Sequence, residues 1–171
     1  MLAAGVAGPS AYYASHETVV FEGFMTHLHL DPVGKATTGV GHLVKKGETP
    51  KQNYTEQEVI DQYVKDWIEH EQMLDKVVTG EYRSPWQRAA IADFTFNKGI
   101  GNVKSSTMLK HLNAGRHDQA CLALTDWVYG TVKGKKVKLK GLEYRATTQY
   151  KYCMGEVPAD YKQSLIELRK E

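Results

Sequence analysis

The run Glu22-Gly23-Phe24-Met25-Thr26-His27-Leu28-His29-Leu30-Asp31-Pro32-Val33-Gly34-Lys35-Ala36-Thr37-Thr38-Gly39-Val40-Gly41-His42 decides how the rest of the chain is read. Ahead of it, a helix starting at Ser10 or Ser15 is expected to run through Val19 and Val20 and to stop near Gly23, a poor helix-interior residue. From Met25 to Leu30, polar and apolar residues alternate, which predicts a strand. Pro32-Val33-Gly34 supplies a turn, and Lys35 to Val44 returns as a second strand softened by glycine. Glu22 then sits at a helix end, with Asp31 and Thr37 near the bend of a small antiparallel sheet across from it. Two carboxylates on different elements facing one groove are the minimum equipment for cleaving a glycosidic bond. One must be protonated to assist the leaving oxygen, and the other must stay ionised.

Working outward, the chain turns helical. Thr55-Glu56-Gln57-Glu58 is a capping-box signature. Val59-Ile60, Tyr63-Val64, Trp67-Ile68, Leu74 and Val77-Val78 hold a helical period over about six turns, long enough to bridge two lobes. Glu69-His70-Glu71-Gln72 reads as its solvent-facing gap, and Gly80 ends it. Ser84-Pro85-Trp86-Gln87 opens another helix, with a Ser cap, Pro in the first turn and Gln closing the box. Asp118 to Tyr129 reads as a further helix, Thr131 to Lys140 as a lysine-rich loop or hairpin, and Gly141 to Cys153 as the last long helix. A short amphipathic element is expected after Pro158. Gly99 and Gly101 follow Asn97 at a helix end, where a C-cap accounts for them.

The totals set limits. A chain of 171 residues makes one domain, or two small lobes sharing a core. Net charge is +2, which gives no global case for nucleic acid. Residues 1–15 carry no charge. With no Lys or Arg before it, this run is not a standard secretory signal, and Pro9 interrupts it well short of the ~20 apolar residues that span a bilayer. Lys133, Lys135, Lys136, Lys138 and Lys140 form a basic stripe, either a solvated loop or an attraction for an anionic cell envelope. Cys121 and Cys153 are the only cysteines, too few for a four-thiolate metal site. They form one disulfide in an oxidising compartment, or remain two buried thiols.

The pattern Glu-x8-Asp-x2-Gly-x2-Thr-x-Gly-x-Gly-His over residues 22–42 resembles the active-site segment of the phage lysozymes, the endolysin muramidases of glycoside hydrolase family 24. Pro85 to Gly101, Ser106 to Asn113 and Gly141-Leu142-x-x-Arg145 resemble further stretches of that family in the same order, so the likeness covers roughly residues 18–155. The resemblance implies an α+β, mainly helical, two-lobed fold. A small antiparallel sheet lies in a lobe of about residues 16–54, a connecting helix spans about 55–79, and a helical lobe about 80–171. It implies Glu22, Asp31 and Thr37 as the catalytic set, with Thr38 a chemical rival that most relatives replace by an apolar residue. It implies inverting hydrolysis of the β-1,4 bond between N-acetylmuramic acid and N-acetylglucosamine in peptidoglycan, leading to host lysis, by a monomer with no cofactor or metal. It pairs His42 with Asp66 on the long helix and favours the disulfide. Some such endolysins are exported by a signal anchor and later released. Residues 1–15 resemble the remnant of one, implying transient membrane association and action in the host periplasm. The alternative is a loosely packed terminus.

Other readings stay open. Glu22 as general acid needs its proton held near neutral pH by burial or a neighbouring negative charge, and Val20, Phe21 and Phe24 supply apolar context. Otherwise it is a helix-surface glutamate, Asp31 a turn aspartate and Thr37 a strand residue. His27-x-His29-x-Asp31 places two imidazoles and a carboxylate on one strand face, a rival zinc site that activates water. A lytic transglycosylase would cut the same bond with the Glu alone, and a binding-only module would hold cell wall without cutting it.

Overall fold

A computed structural model describes residues 6–160. The order is α1 (Gly8–Tyr13), a π-helical segment (Ala14–Thr18), α2 (Val19–Glu22), β1 (Met25–Leu30), β2 (Ala36–Gly39), β3 (His42–Leu43), α3 (Glu56–Asp75), α4 (Pro85–Lys98), α5 (Ile100–Lys104), α6 (Thr107–Asn113), α7 (His117–Ala123), a 3₁₀ turn (Leu124–Asp126), β4 (Tyr129–Val132), β5 (Lys135–Lys138) and α8 (Lys140–Met154). This is the expected mainly helical α+β architecture. Its main sheet is antiparallel in the order β1-β2-β3, and β4-β5 is a separate hairpin.

Helix α4 is the centre of the core. Ala89, Ala90, Ile91, Ala92 and Phe94 are buried, and α1, α3 and α8 all pack on this helix. A helix buried along most of its length has to be surrounded, and three alanines let its neighbours approach closely. Residues 6–15 are part of this packing. Val6, Tyr13 and Ala14 belong to the core cluster, so the described part of the uncharged segment is docked instead of loosely packed.

Several boundaries differ from expectation. Lys35 to Val44 is two strands, because Gly39 and Gly41 adopt φ of 58° and 64° and fold the chain back between them. Helix α3 stops at Asp75, before the β-branched Val77-Val78-Thr79 run. The Asn113 side chain satisfies the freed backbone there, accepting from Thr79 N at 2.9 Å and donating to Val77 O at 3.1 Å. Glu71, read as solvent-facing, is buried and paired with Arg88 at 2.7 Å. The Ser84 cap accepts from Gln87 N, but Gln87 Oε1 takes the Arg83 N–H at 2.7 Å instead of closing a box on Ser84. The helix expected through Tyr129 ends at Ala123 and passes through the 3₁₀ turn, and Tyr129 opens β4. The element expected beyond Pro158 falls mostly outside the described residues.

Two links tie distant parts together. Cys121 and Cys153 are bonded, joining α7 to the end of α8 across 32 positions. His42 on β3 meets α3 as the resemblance implied, with Nδ1 2.7 Å from Asp66 Oδ2 and Nε2 3.1 Å from both oxygens of Glu48. Carboxylates only accept, so the form of the ring that bonds both partners at once is the imidazolium. The Asp66 bond, against an opposing effect of burial, raises the His42 pKa above its ordinary value.

A raised His pKa gives stabilisation that is complete below the unfolded value of about 6.5 and fades as pH climbs through the folded value. Urea midpoints measured upward from pH 6 are therefore expected to fall in wild type and to flatten in Asp66→Asn. Replacing both cysteines with serine is expected to lower stability by about 2–4 kcal/mol in the same assay.

Candidate active site

Glu22 is the last residue of α2, which Gly23 ends with φ 79°. Its orientation is set earlier in the helix. Within the π segment, Ala14 O accepts the N–H of Val19, five residues on, and also the hydroxyl of Tyr63 at 2.8 Å. The wider turn inserts one residue, which rotates everything after it by about 100° relative to a regular helix. Thr18 then faces inward and donates to Asp93 Oδ1 at 2.7 Å. Glu22, four residues on and so on the same face, reaches the cation that Asp93 holds.

That cation is Arg145 of α8. Its Nε and one terminal nitrogen bond the two oxygens of Asp93 at 3.0 and 2.7 Å, and the other terminal nitrogen bonds Glu22 Oε1 at 2.5 Å. Gln149, one turn further along α8, donates to Asp93 Oδ2 at 2.7 Å. Asp93 is fully buried and Arg145 is buried. Burial alone would lower the Arg145 pKa, but the charges and hydrogen bonds of Asp93 and Glu22 outweigh it and raise the value. Sequence reading assigned none of this. Its signal was Asp93 itself, a lone acid inside Ala89-Ala90-Ile91-Ala92-Asp93-Phe94, where a charge must find a partner.

Glu22 does not lie in the apolar setting expected from its neighbours. Val20 is 72% exposed, and the Phe21 ring carries the Arg145 guanidinium 5.0 Å from its centroid. Glu22 Oε2 points instead at Gly41. A Cβ there would stand 2.7 Å from it and φ is 64°, so any other residue would strain the β2–β3 turn and push the carboxylate aside. Gly41 also walls a cavity of about 260 Å³ between the sheet, α3 and α4, lined further by Leu43, Glu69, His70, Met73 and Phe96.

Asp31 follows β1, at the far end of that strand from Glu22, and no bond joins the two among the described residues. Its Oδ1 accepts from Val33 N and Lys35 N at 2.9 and 2.8 Å, fixing the turn. His29 pairs with Thr37 across β1 and β2, so alternation puts His29, Asp31 and Thr37 on one face. Thr37 is buried and donates to Lys35 O at 3.1 Å. Thr38 turns the other way, against Glu48, Glu58 and Gln62 on the α3 side. The His27 and His29 rings sit edge to face 5.8 Å apart, and no group of three His, Cys, Asp or Glu placed to hold a metal occurs among the described residues.

The sequence model of the phage lysozyme family matches residues 19–149. The chain belongs to the phage lysozyme family. It is a lysozyme, an enzyme that hydrolyses bacterial peptidoglycan. It is 31% identical over 156 residues to a SAR-endolysin of Pseudomonas phage phiKMV, covering 86% of this chain and 89% of that one. It is 30% identical over 133 residues to a SAR-endolysin of Bacteriophage PS119, covering 78% and 76%. Among solved structures, the endolysin of Escherichia coli O157:H7 phage FAHEc1 superposes with a TM-score of 0.77 at 24% identity, over 92% of this lysozyme and 98% of that chain. The muramidase domain of SpmX from Asticaccaulis excentricus gives 0.73 at 21% identity, over 85% and 95%. Both likenesses concern the fold.

In this lysozyme, Arg145→Met strands a buried Asp93 and is expected to destabilise by about 3–5 kcal/mol in urea titration. Arg145→Lys keeps the charge but cannot fork between two carboxylates. It is expected to recover part of the stability while peptidoglycan clearing stays impaired.

Proposed function

We propose that the enzyme cleaves the β-1,4 bond between N-acetylmuramic acid and N-acetylglucosamine by inverting hydrolysis. Glu22 gives its proton to the leaving oxygen, Asp31 stays ionised, and Thr37 orients the attacking water. One observation carries the reading. Arg145 holds a single oxygen of Glu22, and the other faces the glycine that walls the inter-element cavity. A carboxyl fixed by one oxygen has its second free to address a ligand. Asp31 and Thr37 come from one sheet face, as a carboxylate and hydroxyl sharing a water require, and the opposite facing of Thr38 supports Thr37 for that role. Asp31 also spends one oxygen on backbone amides, which holds the side chain still.

Residues 16–171 form the catalytic domain in this reading, with residues 6–15 docked into its core, and the enzyme works as a monomer with peptidoglycan as its partner. The site of action is the host periplasm. Two of its relatives are named SAR-endolysins, the first residues are uncharged, and a disulfide suits an oxidising compartment. A membrane-tethered stage before release follows from the same names. No described helix is long and apolar enough to cross a membrane.

Turbidity clearing of outer-membrane-stripped cells tests the assignment. Glu22→Gln is expected to reduce clearing by about 10²–10⁴-fold with its fold intact. Equal clearing by wild type and variant would end the role of Glu22. Product mass tests the step itself: hydrolysis gives a product one water heavier than the anhydro sugar of a transglycosylase.

A further inference from the structure

The β4–β5 hairpin takes no part in the site built around Glu22. We propose that its outward face docks the enzyme on a bilayer surface rich in anionic phospholipid. Strand register pairs Tyr129 with Lys138 and Thr131 with Lys136, so these four side chains share one face. The other face turns inward only at its base, where Gly130 lies against Leu139 and Leu142; nearer the tip its Val132–Lys135 pair is exposed and flanks the docking face. Tyr129 is 50% exposed and Val132 45%. The tip, Lys133-Gly134, has φ of 48° and 75°, the two positive values of a tight two-residue hairpin turn. Lys135, Lys136 and Lys138 are therefore presented on a short, fixed ribbon, with Lys133 at its tip and Lys140 just beyond its base at the start of α8.

Charge on this ribbon is concentrated and largely unneutralised. Lys133, Lys135, Lys136, Lys138 and Lys140 fall within eight positions, with no acidic residue between Asp126 and Glu143. The whole chain is only +2, so the remaining residues together are acidic. Lys138 pairs with Glu143 at 2.5 Å, and both stay about half exposed. The Lys136 ammonium stands over the Tyr129 ring at 4.9 Å. No bonded acidic partner is found for Lys133, Lys135, Lys136 or Lys140 among the described residues.

The kind of side chain missing from the ribbon favours a lipid surface over a glycan. From Tyr129 to Lys140 there is no Asp, Asn, Glu or Gln with which to select among sugar hydroxyls. What remains exposed is ammonium charge, the single hydroxyl of Thr131, one aromatic with a polar tip and one valine. Those groups suit a fluid anionic interface: lysines lower their heads to phosphate while Tyr and Val enter the boundary layer. The uncharged amino-terminal segment offers none of this charge.

Cosedimentation of the full chain with vesicles tests the proposal. One set is phosphatidylcholine alone, and the other is equal parts phosphatidylcholine and phosphatidylglycerol. Wild type is expected to bind the mixed vesicles and to be released at about 0.5 M salt. Substituting Lys133→Gln, Lys135→Gln, Lys136→Gln and Lys140→Gln together is expected to weaken that partition by at least about tenfold. The same four positions changed to Arg should retain it, which separates charge from folding. Tyr129→Ser, which keeps every charge, is expected to weaken it roughly threefold. Equal vesicle binding by wild type and the Gln variant would overturn the proposal. So would a loss that shows only with purified peptidoglycan, since the hairpin would then be a glycan contact.

Discussion

A carboxylate with no exposed surface has to be neutralised, and Asp93 imposes that requirement on the whole molecule. It sits in the middle of the most buried helix. Its two oxygens receive four hydrogen bonds, from Thr18, Gln149 and two nitrogens of Arg145. Those donors come from the amino-terminal helix and from α8, elements far apart in sequence. The bonds are charge-assisted and directional, so they fix relative angles that apolar packing alone would leave adjustable. Arg145 has one terminal nitrogen left over after Asp93, and that nitrogen holds Glu22. The position of the proposed acid is thus a by-product of how the core neutralises its own charge.

A second clamp acts on the sheet. His42 lies between Asp66 on α3 and Glu48 in the loop before it, while Gly41 beside it closes on Glu22. One side of Glu22 is therefore set by the helical core and the other by the sheet. The two clamps meet at a single side chain. The disulfide adds to the first of them, since it fixes the end of α8, the helix that carries Arg145 and Gln149.

What could be read from sequence divides along physical lines. Features encoded by neighbours in the chain were legible. The Thr55 box, the Ser84 cap, the alternation of β1 and the period of α3 are all local and all present. Features settled by distant partners were not, apart from the two that the family resemblance supplied, the His42–Asp66 pair and the Cys121–Cys153 bond. Nothing near Glu71 announces Arg88, and nothing near Glu22 announces Arg145. The glycines of residues 39–41 signalled a soft strand, but their positive φ made a turn and a third strand. Asp93 was the one long-range feature with a local trace, an acid among alanines, yet its partner lay 52 positions away.

Composition leaves the amino-terminal run open to two environments. Its lack of charge suits a membrane, and in the fold the side chains of residues 6–15 make specific contacts with the core. Ser10 accepts from the Trp67 indole at 3.0 Å and donates to Glu71, and Tyr13 and Ala14 are fully buried. The segment continues without a break through the π turn to Thr18 and Glu22. Docking of residues 6–18 and placement of Glu22 are consequently one event. A chain whose first residues lay elsewhere would leave Asp93 without the Thr18 hydroxyl and Arg145 without the Glu22 carboxylate. The proposed acid therefore shares one continuous segment with residues 6–18, and the contacts that dock that segment are the contacts that place it.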